Sequence, residues 1–134
     1  MLDAPTPEQL LAAVARYLRD EAGPALAAHG DNALAYQARV AANMLDTVHR
    51  QGLLAPAADA AERTRLQVLL GSADDDLATL NRQLVEALAL GRLDGTQPAL
   101  ADHLWRTTCD KLAVDQPGYD TYRRLADPPP GSDA

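Results

Sequence analysis

The sequence contains no Phe and no Ile, and its only lysine is Lys111. Because apolar residues still make up 47% of the chain, any core must be built from Leu, Val and Ala. Leu and Ala are strong helix formers, whereas the β-branched residues that favour strands are scarce here. The composition therefore predicts an all-α protein and argues against a sheet-rich fold.

Basic residues are also few. Lys and Arg number 12 against 19 Asp and Glu, and the formal net charge is −7. This charge repels nucleic acid and anionic lipid, so neither is expected as a partner. No apolar run approaches the roughly 20 residues that a membrane-spanning helix needs. The first residues, MLDAPTPEQLL, lack the basic start of a signal peptide, which predicts a cytoplasmic protein.

Nucleophiles in a catalytic setting are lacking as well. The two serines are Ser72 and Ser132, and neither sits in a Gly-x-Ser-x-Gly elbow. The single cysteine, Cys109, excludes an intrachain disulfide. It could act as a nucleophile beside a base, but its place in a predicted helix favours a small core residue. No Gly-rich phosphate loop is present, so no catalytic residue is predicted.

No metal or cofactor site is predicted either. The three histidines are widely spaced and form no His-x-x-x-His pair; they are His29, His49 and His103. We expect them to be solvated or hydrogen-bonded. The acidic run at residues 74–76 lacks the alternation and the glycine of a calcium loop, and first-turn carboxylates are ordinary at helix starts.

Helix signals cover most of the chain. Thr6, Pro7 and Gln9 form a capping box with proline at the first helical position, and Gly23-Pro24 should end or break this first helix. A second helix is predicted over residues 33–51, ending at Gly52. Its apolar residues lie on one side and its polar residues on the other.

Three more helices follow in the pattern. A third should open at Pro56 and end at Gly71, and a fourth should run from Ser72, with Asp75 at the capping-box position, to Gly91. A fifth is predicted over residues 98–115, because the residue before Pro117 is pushed out of helical geometry. A final helical turn should reach Tyr122.

These elements predict a compact antiparallel bundle of four or five helices. Residues 1–126 should form a single helical domain. Residues 127–134 are rich in proline and should form a disordered tail. Tyr17 and Trp105 are interpreted as core aromatics at helical spacing.

A group of polar residues on the predicted helices is a candidate interaction site. It comprises Arg39, Asn43, Asn81, Arg82, Thr108, Lys111, Asp115 and Tyr119. The plain alternative is a solvated surface. Lys111 and Asp115 are one turn apart and can pair. We expect Asp115 to order the C-terminal turn by accepting hydrogen bonds from backbone N–H groups, and Lys111 to be available to a ligand or partner.

Four blocks carry a likeness across nearly the whole chain: TPEQLLAAVARYLRDE, LAYQARVAANML, DLATLNRQLVEAL and LWRTTCDKLAVDQPGYDTYR. The most specific parts are ARVAAN at residues 38–43 and KLAVDQP at residues 111–117. Together these blocks resemble a bacterial family of small helical domains of unknown function. Members are typically encoded beside phosphotransferase-fold kinases similar to aminoglycoside and choline kinases, and beside acyl-CoA dehydrogenases.

The resemblance implies a function in hydroxyacyl-CoA catabolism. The kinase would phosphorylate the acyl hydroxyl, a dehydrogenase-like enzyme would eliminate the phosphate, and this chain would be a non-catalytic accessory or interaction subunit of the kinase. The alternative is a small-molecule binding bundle that holds an acyl chain or acyl-CoA between its helices. A homo-oligomer is compatible with either function.

Overall fold

A computed structural model describes residues 4–126. This part of the chain is helical without any strand and forms five helical runs, separated by short turns. The elements are α1 (Pro7–Tyr17), a π-helical turn (Leu18–Ala22), α2 (Gly23–Ala28), α3 (Asn32–Leu70), α4 (Leu77–Ala89), α5 (Pro98–Asp115) and α6 (Asp120–Ala126). The all-α prediction is confirmed. The predicted disordered tail at residues 127–134 lies outside the described residues.

The start of α1 follows the predicted capping box. The Gln9 N–H donates to Thr6 Oγ1 at 3.3 Å, and the Thr6 N–H donates to Gln9 Oε1 at 2.9 Å. Pro7 is the first helical residue, where its missing N–H removes no helical hydrogen bond. The local sequence therefore fixes this helix start.

At Gly23-Pro24 the helical run does not end, but the regular α-helix is broken just before it. A π-helical turn (Leu18–Ala22) separates α1 from α2, and the chain stays helical to Ala28. The Gly23 N–H donates to the Leu18 carbonyl, a bond that spans five residues. A Cβ at position 23 would lie 3.1 Å from this carbonyl oxygen, so glycine allows the close backbone approach.

The predicted break between the second and third helices is also absent. Residues 32–70 form one helix that passes through Gly52 and contains Pro56. Glycine costs about 1 kcal/mol and proline about 3 kcal/mol in a helix interior, but neither forbids it. The surrounding Ala- and Leu-rich sequence favours helix strongly enough to continue through both residues.

Helix α4 begins later than predicted. Ser72 and Asp75 lie in the turn before it, and Asp76 is the N-cap, whose carboxylate accepts from the Thr79 N–H at 2.8 Å and the Thr79 hydroxyl at 2.6 Å. The hydroxyl bond, with the backbone bond second, lowers the pKa of Asp76. The acidic run thus does start a helix, as its capping interpretation implied.

The other predicted boundaries agree closely with the structure. Helix α5 spans Pro98–Asp115, and Gln116 leaves helical geometry just before Pro117. Gly71 and Gly91 follow α3 and α4 with φ of +62° and +67°, the left-handed conformation that favours glycine after a helix.

The helices group into two compact units, Met1–Leu53 and Leu54–Ala134, called unit 1 and unit 2 below. The division falls inside α3, between Gly52 and Pro56. Unit 2 has a leucine core formed by α3, α4 and α5, made of Leu66, Leu80, Leu84 and Leu100. Unit 1 buries only alanines among its described residues, Ala15 and Ala42. The single-domain organisation of residues 1–126 stays a prediction.

Candidate functional site

A groove between α3 and α5 is a concave site of unit 2 in the described structure. Its volume is about 570 Å³. The lining residues are Leu54, Ala57, Ala58, Ala61 and Arg65 from α3, and Asp102, Trp105, Arg106, Cys109, Asp110 and Ala113 from α5. We call it the α3–α5 groove.

The spacing of these residues explains why a groove forms. On each helix they recur at steps of three or four and so share one face. Most of the α3 positions are alanines, whose short side chains leave room above the helix backbone. The α3 side of the groove is therefore lined mainly by short apolar side chains.

Trp105 is the largest side chain at the groove. It is 51% exposed, so the interpretation of Trp105 as a core aromatic is wrong. Tyr17, in unit 1, is 55% exposed and departs from the same interpretation. Helical spacing shows which residues share a face, but not whether another element covers that face.

Arg65 links the two sides of the groove. Its Nη2 lies 3.4 Å from Asp110 Oδ2 and 3.4 Å from Thr107 Oγ1. The Arg65 side chain is 20% exposed, and its Nε has no hydrogen-bond partner within the described structure. The guanidinium thus joins α3 to α5 through long, partly shielded contacts.

A second ion pair lies on α5 alone. Arg106 Nε is 2.8 Å from Asp102 Oδ2, one helical turn away. Both side chains are more than half exposed, so this pair contributes little to stability. The charges of the groove are therefore balanced, with two arginines and two aspartates.

His103 lies on α5 beside these groups but points into the protein. It is 3% exposed, and its Nδ1 has no hydrogen-bond partner in the part of the chain described. The expectation of a solvated or hydrogen-bonded histidine does not fit this Nδ1. Burial, with the Arg65 charge second, lowers the pKa of His103 below its ordinary 6.5, while Glu62 and Asp102 oppose the shift.

The predicted group of polar residues is not gathered at this groove. Arg39 and Asn43 belong to unit 1, where both are exposed on α3 and the Arg39 guanidinium lies 5.5 Å from the centre of the Tyr36 ring. Asn81 is half-buried and donates to Glu62 Oε1 at 3.1 Å, tying α4 to α3. Arg82 is exposed and donates to Thr79 Oγ1 at 2.7 Å.

The remaining predicted residues lie at the C-terminal end of α5 and beyond. Thr108 is exposed and its hydroxyl donates to the Leu104 carbonyl at 2.8 Å. Lys111, Asp115 and Tyr119 are exposed as well. Within residues 4–126, no ion pair joins Lys111 to Asp115. None of these residues lines the α3–α5 groove.

Asp115 does not close the turn in the predicted manner. The turn is held by backbone hydrogen bonds, from the Gln116 N–H to the Leu112 carbonyl at 2.9 Å and from the Tyr119 N–H to the Gln116 carbonyl at 3.0 Å. Among the described contacts, none brings a backbone N–H to the Asp115 carboxylate. Pro117 and the backbone alone therefore account for the turn.

Sequence reasoning missed Arg65, Asp110 and the exposure of Trp105. A signal was present, because Ala57, Ala61 and Arg65 recur at steps of four on α3. Trp105, Cys109 and Ala113 do so on α5. Two stripes of this kind predict paired helix faces, but the pairing of α3 with α5 depends on the tertiary fold.

The α3–α5 groove is lined by both apolar and charged side chains. Within residues 4–126, no group of three or more His, Cys, Asp or Glu residues is placed to hold a metal ion. Cys109 is half-buried at the groove. The lining thus combines three alanines of α3, one large aromatic side chain and two oppositely charged pairs.

Fold and groove together define a small all-helical protein with an open groove between two of its helices. Residues 24–119 match the family described as "Domain of unknown function (DUF6285)". Because the match covers well over half of the chain, the protein belongs to this family. No curated protein sequence and no solved structure matches the chain. Among the described helices, none combines the length and apolar character required to cross a membrane.

Proposed function

We propose that this chain is a non-catalytic interaction subunit of a phosphotransferase-fold kinase, and that the α3–α5 groove binds the kinase. The kinase, and its place in hydroxyacyl-CoA catabolism beside an acyl-CoA dehydrogenase, come from the family resemblance of the sequence, and the cytoplasmic location comes from the absence of a signal-peptide pattern. The observation that carries the proposal is the half-exposed Trp105 in the lining of the α3–α5 groove.

Tryptophan and arginine dominate the binding energy of protein interfaces, usually where they border a pocket that excludes water on binding. Trp105 is accompanied at the groove by Arg65 and Arg106. A partner side chain that covers the alanines of α3 would remove Trp105 from water. The balanced ion pairs of the groove would form the polar rim that surrounds such contacts.

The length of the surface favours a protein partner. A smaller apolar pocket of about 260 Å³ shares Arg65 and Asp102 with the groove and adds Val68 and Ala99. From Leu54 to Val68, the α3 side of this combined surface extends about 21 Å at 1.5 Å per residue. An amphipathic helix of three to four turns would match roughly this length.

The test is kinase binding by the full chain. Trp105→Ala should weaken binding of a phosphotransferase-fold kinase, of the kind encoded beside family members, by at least about tenfold, as expected for a large aromatic contact. Val85→Ala is the control, because Val85 is 66% exposed on α4 and lies outside the groove. Calorimetry that finds equal affinity for both variants, or no binding by the wild type, would refute the proposal.

The alternative function is binding of an acyl chain or acyl-CoA. The groove volume of about 570 Å³ lies in the usual range of small-molecule sites. Because Trp105 lines the groove, its fluorescence should respond directly to such a ligand. Saturable binding of acyl-CoA without the kinase, lost in Trp105→Ala, would favour this alternative over the interaction subunit.

A further inference from the structure

Unit 1 is a helical hairpin with almost no core of its own. Its elements are α1, the π-helical turn and α2 on one side, and residues 32–53 of α3 on the other. The buried residues of its described part are Ala15 and Ala42, with 1% and 0% exposure. Two alanines bury little apolar surface, so the hairpin gains little hydrophobic stabilisation by itself.

Several of its large apolar side chains are exposed instead, while others are only half-buried. On α1, Leu10, Val14 and Tyr17 are 45%, 47% and 55% exposed. Their spacing of four and three residues places them on one helix face. On α3, Met44 and Val48 are four residues apart and 65% and 55% exposed. Each helix of the hairpin thus carries an uncovered apolar stripe.

The directions of the side chains show that the two stripes share a side. The helices of the hairpin run antiparallel, and buried Ala15 and Ala42 mark the faces that the two helices turn toward each other. In an antiparallel pair, a residue a given number of positions after the inward-facing residue of one helix points to the same side of the hairpin as the residue that many positions after the inward-facing residue of the other. Arg19 and Asp46 each lie four residues after their alanine, and the two side chains pair. The ion pair therefore marks the polar side.

The same offsets assign the apolar residues to the opposite side. Tyr17 and Met44 each lie two residues after their buried alanine, which turns them by about 200° at 100° per residue. Val14 precedes Ala15 by one residue and Val48 follows Ala42 by six, which turns both by about −100° to −120°. Val14 and Val48 point to the side opposite the Arg19–Asp46 pair, whereas Tyr17 and Met44 point away from the neighbouring helix, at the two margins of that side. Together with Leu10, these residues form what we call the unit 1 apolar face.

The charges of the two units favour a second copy of this chain as the partner that covers the unit 1 apolar face. Unit 1 has four arginines against six acidic residues, whereas unit 2 has eight basic against thirteen acidic residues. Two copies that meet through unit 1 would bring together the weakly charged parts of the chain. Contact through unit 2 would instead oppose two strongly acidic bodies.

The side of the hairpin that carries this apolar face is large enough for a small dimer interface. The helical run Pro7 to Ala28 is about 33 Å long at 1.5 Å per residue. Two helices side by side are about 20 Å wide, so this whole side, with the apolar face and the residues around it, covers roughly 650 Å². A standard stable interface buries about 800 Å² per partner. Protruding side chains make the accessible surface of this side larger than its flat outline.

We infer that unit 1 is a dimerisation module, in which the apolar faces of two copies pack together as a four-helix bundle with two-fold symmetry. Each copy supplies one hairpin, and the four helices bury the stripes that neither hairpin covers alone. Because the unit 1 apolar face shares no residue with the α3–α5 groove, this dimer forms without the kinase and its test is independent of kinase binding.

The experiment is sedimentation equilibrium of the full chain over a range of micromolar concentrations. The wild type should be a dimer. Tyr17→Glu, and separately Val14→Glu, should weaken dimerisation by at least about tenfold, since each places a charge inside an apolar interface. Circular dichroism should show that these variants remain helical.

Tyr36→Glu is the matched control. Tyr36 has nearly the same exposure as Tyr17, 59% against 55%, but it lies on the polar side beside Arg39. This variant should stay dimeric. A monomeric wild type, or equal dimerisation of Tyr17→Glu and Tyr36→Glu, would overturn the inference. So would a monomer whose kinase binding is lost in Tyr17→Glu, because the kinase would then be the occupant.

Discussion

Arg65 of α3 contacts Asp110 of α5 across the α3–α5 groove, with Nη2 3.4 Å from Oδ2. The two residues are 45 positions apart in sequence, so this pair forms only when the two helices pack. Asp102, the other aspartate that lines the groove from α5, pairs with Arg106 of its own helix instead. The groove thus contains one ion pair between helices and one within a helix.

The two pairs should differ in coupling energy. A double-mutant cycle with Arg65→Met and Asp110→Asn should give a coupling of about 0.5 to 1 kcal/mol, because Arg65 is mostly buried. The cycle with Asp102→Asn and Arg106→Met should give about 0.3 kcal/mol, as for exposed pairs one turn apart. Urea unfolding of the single and double variants measures both. A larger coupling for the exposed pair would contradict this ranking.

Leu66 should be among the most important side chains for the stability of unit 2. It is fully buried at the centre of the leucine core, and Leu66→Ala should lower the free energy of unfolding by about 2 to 5 kcal/mol. Val85→Ala, at an exposed position of α4, should change it by less than about 0.5 kcal/mol. If Leu66→Ala and Val85→Ala lowered the free energy of unfolding by similar amounts, Leu66 would not be a core residue of unit 2.

Alanine substitutions at Gly52 and at Gly91 should change the free energy of unfolding in opposite directions. Gly52 lies within α3, and a Cβ added there would meet only open space, so Gly52→Ala should raise the free energy of unfolding by up to about 1 kcal/mol. Gly91 has φ of +67°, and Gly91→Ala should lower it by about 1 kcal/mol. Thermal unfolding of both variants is the measurement. Destabilisation by Gly52→Ala would argue that α3 is interrupted there.

His103 should make stability fall in mild acid. Its pKa in the folded state is lowered from 6.5 by burial and by Arg65, so the unfolded chain binds a proton more readily. The contribution of His103 to the free energy of unfolding is therefore fully present above pH 6.5. It is lost as the pH falls from there toward the lower pKa of the folded state. Because Glu62 and Asp102 oppose the shift, they limit this effect. His103→Gln should reduce the pH dependence in this range, as measured by urea unfolding at successive pH values. If the free energy of unfolding of His103→Gln depended on pH as steeply as that of the wild type, His103 would not be the group responsible.

Lys111 and Asp115 should both be dispensable for the fold. Each is exposed, and backbone hydrogen bonds close the turn after α5. Lys111→Ala and Asp115→Ala should each change the free energy of unfolding by less than about 0.5 kcal/mol. If Lys111 contacts the kinase, its variant should bind the kinase more weakly without a change in thermal unfolding. A marked loss of stability in Asp115→Ala would restore its predicted role in the turn.

Features that depend on near neighbours follow from the amino-acid sequence alone. The scarcity of β-branched residues predicts the all-α class, and the Thr6 capping box and Pro117 define the start of α1 and the end of α5. Such rules act over three or four residues, so long-range contacts rarely override them. The predicted break between Gly52 and Pro56 failed because a local penalty of a few kcal/mol competes with the stability of the whole surrounding helix.

Which helix faces are covered follows only from the packing of distant helices. Helical periodicity places Trp105 and His103 on different faces of α5, but it does not distinguish the exposed Trp105 from the buried His103. The pairing of Arg65 with Asp110 likewise requires two helices that are remote in sequence to meet. The reason is physical: local sequence sets the direction of each side chain from its own helix, whereas burial depends on which other helix occupies that direction.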